Sequence, residues 1–444
     1  MQTHNSIWQF FASVRLALIT ISLLAVTSII GTIIPQKKPF DFYTGEYGPE
    51  MARLFQVLDI PDMYNSWWFV GLLSLLCFNL IICSIDRFPA AWKQITADGL
   101  TWSPERLAAL PTSASWQIEA APKDAVNQLS GKLTAAGWKP THRTNNGQTL
   151  LFCQKGAWTR TGVYIVHASI LVIFLGGVIG AIGGFKGSMV IPETLQRDRV
   201  ALFGSQSFEE LGFSVRCNSF NVDFYPNGAP KDYVSSLTVI EDGTEILTTE
   251  IRVNDPLTYR GITFYQSSYQ SFQDFLVTIE NTSANRTESF IVPFQKQERW
   301  PDEGLRFGVI NAKAIGQSIV SAKLWLSDDQ EPPVTIWLEK NDSAPVKIGT
   351  HEYRVAARQM YATGLQVAKD PGVWWVYAGC SMMLIGLFIA FFTSHRRLWL
   401  LISEAENGAS VLLAGSANKN RPGFTRTVQD LEQLLQDGQG RESA

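Results

Sequence analysis

Charge is scarce in this chain of 444 residues: only 17% are Asp, Glu, Lys or Arg, and the formal net charge is −3. A soluble globular chain carries about 25% charged residues, so the apolar 46% must be tested for clustering. The weak net charge argues against nucleic acid, whose phosphates need a basic footprint. Composition also excludes collagen, coiled coil and wholesale disorder. Histidine is limited to His4, His142, His167, His351 and His395, which leaves paired-His motifs such as H-E-x-x-H nothing to build on. Among the five cysteines there is no C-x-x-C for thiol exchange. Nor is there a C-x-x-C-H, so the chain is not itself a c-type cytochrome.

The apolar residues gather in four runs free of Asp, Glu, Lys and Arg: Leu16 to Ile34, Trp67 to Ile85, Gly162 to Phe185 and Val373 to Thr393. A bilayer core takes about 20 such residues in a helix, so four transmembrane helices are expected at 16–34, 67–85, 162–185 and 373–393. The first run is too long for a cleavable signal and lacks a small-residue cleavage site, so it stays as a span. Flanking basic residues orient the spans. With the N-terminus inside, Arg15, Arg87, Lys93, Lys155, Arg160, Arg396 and Arg397 lie inside, against Lys37, Lys38, Lys186 and Lys369 outside. Trp67, Trp68, Trp374 and Trp375 would anchor the outer face, and Trp8, Trp92, Trp158 and Trp399 the inner one.

Residues 1–15 are then an inner terminus, 35–66 an outer loop, 86–161 an inner segment, 186–372 a large outer domain and 394–444 an inner tail. The outer domain alternates in short runs bounded by turn residues: Asp232 to Ile240, Ile246 to Val253, Ile262 to Tyr269, Phe275 to Ile279 and Val334 to Leu338. Period two with Asp-Gly punctuation predicts antiparallel sheet. Inside, strands are expected at Ser115 to Glu119 and Thr149 to Cys153, with a helix over Lys123 to Ala136. The tail adds strands at Leu398 to Ser403 and Ser410 to Leu413 and a helix over Thr427 to Leu435, and is expected to pack with 86–161. The fold class is a multi-pass membrane protein with four transmembrane helices, a large antiparallel β-rich extracytoplasmic domain and a small α+β cytoplasmic unit.

His167 stands apart among candidates for chemistry. It lies about six residues past the inner boundary of the third span, roughly 9 Å into the bilayer. An ionisable side chain at that depth is costly and faces protein, cofactor or water. Neutral imidazole can ligate haem iron, relay protons or hydrogen-bond a neighbouring helix. Gly176, Gly180 and Gly184 form two G-x-x-x-G steps, with Gly176 and Gly180 nearly opposite His167 at about 100° per residue. His395 is the alternative ligand near the same leaflet, although beside Arg396-Arg397 it reads first as an interfacial anchor. Asn79 and Cys83, one turn apart, suit an interhelical contact. Cys217 is the lone outer cysteine, so no outer intrachain disulfide forms.

Several of these segments resemble one family. Ser13-Val14-Arg15-Leu16-Ala17, Gly31-Thr32-Ile33-Ile34-Pro35-Gln36, Ser66-Trp67-Trp68-Phe69 and Asn79-Leu80 with Cys83-Ser84 and Arg87 are similar to the ResB family of cytochrome c biogenesis proteins, also called CcsB. The likeness continues through Gly162 to Ile170 around His167. In the outer domain it includes Phe224-Tyr225-Pro226-Asn227-Gly228, Lys231-Asp232-Tyr233, Ile251-Arg252-Val253-Asn254 and Phe264-Tyr265-Gln266-Ser267-Ser268-Tyr269. It spans nearly the whole chain.

The resemblance implies the system II pathway, in which such a protein and a ResC or CcsA-type partner deliver haem across the membrane and attach it to C-x-x-C-H apocytochrome c. The partner's tryptophan-rich haem-handling motif has no counterpart here, which implies one half of a complex working with thiol-reducing proteins of the pathway. His167 matches the family's intramembrane histidine, which implies an axial ligand to haem iron, b-type while bound, paired with a histidine of the partner. Whether the chain is itself an enzyme stays open. The outer domain would cradle the apocytochrome or support the partner's outer haem site. A bacterial inner membrane is expected, because no Arg-rich transit segment precedes the first span, with the thylakoid membrane as alternative. Two other readings compete: a haem b electron-transfer or transporter subunit using His167 and His395 together, and a scaffold in which His167 only bridges helices.

Overall fold

The structure, a computed structural model, describes residues 6–205, 207–225, 230–315, 318–340 and 342–437. His4 and the Pro226-Asn227-Gly228 stretch lie outside the described residues. The chain divides into two compact units, Met1–Gly177 with Val373–Ala444, and Val178–Gly372.

Four helices are long and apolar enough to cross a membrane, and this is a membrane protein. The first runs over Val14–Ile33, the second over Trp67–Thr96, the third over Gly162–Gly183 and the fourth over Val373–Phe392. The second does not stop at Ile85. It continues through Asp86, Arg87 and an internal Pro89. At 1.5 Å per residue its 30 residues reach about 45 Å, beyond the roughly 30 Å of a hydrocarbon core, so the charges sit where the helix leaves it. Sequence hydropathy marks the end of the apolar stretch, not the end of the hydrogen-bonded helix.

Residues 35–66 fold back as helices Phe40–Tyr47 and Pro49–Val57 and a 3₁₀ turn at Ile60–Asn65, with Tyr43, Ala52, Phe55 and Ile60 buried together. The Gly31 to Gln36 segment ties this loop down. Gln36 donates through Nε2 to the Ile34 carbonyl (2.9 Å) and accepts at Oε1 from the Met63 amide (3.1 Å), while Tyr43 Oη donates to the Pro35 carbonyl (2.5 Å). A Cβ at Gly31 would run into the Met63 side chain, which is why glycine stands there.

The first unit also holds a five-stranded antiparallel sheet in the order Thr112–Ile118, Gly408–Ala417, Arg396–Ala405, Gln148–Lys155, Thr141–Asn145. Its centre comes from the chain's last fifty residues and its flanks from the segment after the second helix. Along Arg396–Ala405, Leu398, Leu400 and Ile402 pack on one side against helices Pro122–Ala135 and Arg421–Gln436 through Leu129, Leu133, Phe424 and Val428. Trp399 and Leu401 face the other side with Leu107, Leu150 and Phe152. The strand is buried on both faces, as its unbroken apolar run requires.

The described strands of the second unit pair antiparallel into two sheets. One sheet follows the path Arg286–Pro293, Ile262–Asn281, His351–Lys369, Phe185–Pro192, Gln196–Leu202, Phe208–Phe224, Pro230–Glu241, Thr244–Ile251. A second contains Glu298–Trp300, Leu305–Ile315, Ser318–Ser327 and Val334–Glu339. The runs predicted separately at Ile262 to Tyr269 and Phe275 to Ile279 are one strand of 20 residues. It is bent by register shifts at Gln266/Ser268 and Ser271/Phe275, and bulges of this kind interrupt the alternation that marks a strand. With His351–Lys369 it passes through two cores, giving Phe264 and Leu365 to one and Phe275 and Val355 to the other.

Candidate functional site

A short helix, Ser6–Phe11, precedes the first span, and the break between them leaves backbone carbonyls exposed in apolar surroundings. The second span closes that gap. Asn79 Nδ2 donates to the carbonyls of Phe11 (2.6 Å) and Ser13 (3.1 Å), and Cys83 Sγ approaches the Ala12 carbonyl (3.1 Å). In lipid an unpaired carbonyl costs several kcal/mol, so Asn79 and Cys83 are needed to hold the break.

One turn further, Ser84 meets His167. Ser84 Oγ donates to the Leu80 carbonyl at 2.6 Å and lies 2.9 Å from His167 Nδ1. A hydroxyl has one proton. With that proton on Leu80, Ser84 can only accept from the imidazole, so Nδ1 carries the hydrogen and Nε2 keeps a bare lone pair. Nε2 has no hydrogen-bond partner among the described residues, and the side chain is half-buried. Such a neutral imidazole, oriented through its other nitrogen, is the form that binds a metal.

A row of aromatic side chains leads up to the His167 ring. Tyr164 lies 6.5 Å from the His167 ring, Phe88 packs edge-on against Tyr164 at 5.1 Å, and Trp92 follows at 5.7 Å from Phe88. Trp158 stands 6.0 Å beyond Trp92. Arg87 comes one turn after Ser84 on the same helix face, close enough to act electrostatically on His167 and Tyr164.

His395 is committed elsewhere. Its Nδ1 accepts from Arg160 Nε at 3.0 Å, its Nε2 lies 3.0 Å from Gln154 Oε1, and the residue is 1% exposed. Burial, with help from Arg160 and Arg397, pushes the imidazole down to about 4. Both nitrogens are used within the protein, so His395 fastens the 3₁₀ turn at Ala157–Thr161 to strands Gln148–Lys155 and Arg396–Ala405 and has no lone pair left for iron.

Close helix packing against the third span comes from glycines of the fourth. A Cβ at Gly379 would meet Ile173 and the Ser169 carbonyl, and one at Gly386 would meet Val166 and Ile165. Gly176 is buried, but Gly180 faces Asp370 and Gly184 the carbonyls of its own helix end and Lys369. The last two of these glycines therefore lie where the helix end meets Lys369–Asp370, the segment that leads into the fourth helix, whereas the Gly379 and Gly386 pair has a seven-residue spacing that the sequence pattern did not flag.

Gln266, Arg252 and Asp232, from the motifs of the second unit, are engaged within that unit. Gln266 accepts at Oε1 from Ser235 Oγ (2.6 Å) and Thr363 Oγ1 (2.8 Å) and donates to the Ser268 carbonyl, which satisfies a buried bulge. Arg252 pairs with Asp232 at 2.9 Å. Glu193, fully buried, takes the Phe220 and Tyr361 amides and both contacts of Arg358 Nη1. Cys217 beside it is also fully buried, and burial together with the Glu193 charge pushes its thiol up to about 12. A protonated, enclosed thiol is a poor nucleophile.

Four apolar helices and a large antiparallel sheet domain, inserted in sequence between the third helix and the fourth, define the class: a multi-pass membrane protein carrying a sheet-rich domain. The chain belongs to the ResB-like family, whose pattern matches residues 14–352 and, overlapping, 313–429. It is 28% identical over 467 aligned residues to the cytochrome c biogenesis protein CcsB of Gloeobacter violaceus, covering 98% of this chain and 92% of that one. It is 29% identical to the protein of the same name from a Nostoc species, over 95% and 90% of the two chains. Among solved structures it shows a likeness to the cytochrome c haem lyase CcmF, with a TM-score of 0.20 and 10% identity over 78% of this chain and 50% of the other. A likeness that low carries no argument about fold or chemistry.

Proposed function

We propose that this chain serves cytochrome c biogenesis by holding haem at His167, as cargo on its way across the membrane to apocytochrome c. The role in cytochrome c biogenesis follows from the family and its relatives. The haem site rests on the Ser84–His167 contact, which leaves Nε2 unprotonated and open. A second membrane protein of the ResC or CcsA type donates the other axial ligand, because His395 has both nitrogens engaged. With the N-terminus inside, the five-stranded unit is cytoplasmic, His167 lies in the inner half of the bilayer and the large sheet domain is extracytoplasmic. That domain positions the apocytochrome or the partner's outer haem site; attachment outside is then a matter of proximity and orientation.

The residues fit a planar apolar ligand with a metal centre. Ser84 keeps the imidazole in one tautomer and one ring orientation, and Tyr164 and Phe88, packed edge-to-face, add apolar aromatic surface next to it. Bound haem supplies the iron that the imidazole ligates; the chain supplies position and reversible ligation. Soret spectra of the purified complex test this. Loss of pigment in His167→Ala and retention in His395→Ala is the expected result, with Ser84→Ala lowering haem retention by about tenfold, as second-sphere partners of metal-bound histidines do. Full pigment and full cytochrome maturation in His167→Ala would overturn the reading.

A further inference from the structure

The positive charge beside the imidazole has no assigned task. Arg87 is exposed and makes no hydrogen bond or ion pair among the described residues, and the neighbouring Asp86 is turned toward Trp8 Nε1 at 3.4 Å. Counted from Trp67, Arg87 is 20 residues along the helix, about 30 Å, which puts its guanidinium at the edge of the hydrocarbon core. Nearby, Phe88, Trp92 and Trp158 are 39%, 42% and 64% exposed, yet they touch one another in a row that Tyr164 continues to His167. Interfacial anchoring accounts for each of these side chains singly. It does not account for their forming one row that reaches the His167 ring, with a cation one turn from Ser84 that has no partner among the described residues.

We infer that Arg87 is a carboxylate-binding subsite of the His167 site, seating a propionate of the tetrapyrrole at the membrane surface while the aromatic row covers part of one macrocycle face. This deepens the haem reading and rests on it. The chemistry matches the ligand's two ends. An apolar disc lies against Tyr164 and Phe88, the rings of the row nearest His167, and its carboxylates require a cation at the boundary, where a guanidinium binds them in bidentate fashion with charge assistance. The subsite therefore fixes the orientation of the disc, carboxylates toward the five-stranded unit, before any partner ligand closes the other side.

The test uses the full chain in detergent with its co-purifying membrane partner, titrated with haem and with haem dimethyl ester, whose propionates carry no charge. Wild type is expected to hold the diester about tenfold less tightly than haem, the scale of one charge-assisted pair. Arg87→Gln should bind haem about tenfold less tightly and no longer distinguish the two ligands, while Arg87→Lys keeps part of the discrimination. The iron spectrum stays that of wild type in both variants, because His167 is untouched. If wild type fails to discriminate, or Arg87→Gln discriminates as strongly as wild type, the subsite is wrong. Its failure leaves the iron-ligand reading standing, which falls only if His167→Ala retains full pigment.

Discussion

Single hydrogen atoms decide what the two membrane-proximal histidines can do. Ser84 gives its proton to Leu80, so His167 must give one to Ser84 and keep Nε2 bare. Arg160 gives one to His395, whose Nδ1 must stay unprotonated. His395 has a pH signature. Its folded value is about 4 against an ordinary 6.5, so above 6.5 both folded and unfolded chains carry it neutral. As pH falls from 6.5 toward about 4, only the unfolded chain takes up the proton, and its contribution to stability is lost across that window. The midpoint of thermal unfolding should fall on acidification through this range, and the part of that fall due to His395 should vanish in His395→Gln. An equal fall in both proteins would show that the imidazole is not the group responsible.

At the level of elements, the four helices were plain from hydropathy, whereas their contacts were not. Three of the polar residues along the second helix have definite tasks: Asn79 and Cys83 hold the break before the first span, and Ser84 holds His167. Asn79 and Cys83 were readable as a contact face because they are a helical turn apart. Ser84 stood beside them in the sequence with no sign of its partner 83 residues away. The glycines show the same limit. Gly177 has nothing near an added Cβ, while at Gly386 an added Cβ would press on the Val166 backbone. Gly386→Leu is therefore expected to separate the third and fourth helices and lower stability by about 1–3 kcal/mol, with Gly177→Leu close to neutral. Thermal unfolding of the two variants checks this, and equal midpoints would refute the packing argument.

Across the whole molecule, the five-stranded sheet makes the chain's last segment a partner of a segment some 250 residues earlier. Arg396–Ala405 pairs with Gln148–Lys155 on one side and Gly408–Ala417 on the other. Truncation before Arg396 removes two of the three inner strands and the helix Arg421–Gln436, which strips the cover from Leu129, Leu133 and Leu151. Limited proteolysis should then cut the truncated protein within residues 104–155 faster than it cuts the intact chain; equal rates would mean that this segment folds alone. By itself, the sequence determined the apolar helices, the alternating strands and the one costly imidazole, because each is a local pattern of side chains set against a fixed backbone period. Contacts between distant segments decide which hydroxyl orients His167, what engages both nitrogens of His395, and that Arg87 has no partner among the described residues. Those depend on donors and acceptors from distant parts of the chain meeting within about 3 Å, and no period along one segment encodes the position of another.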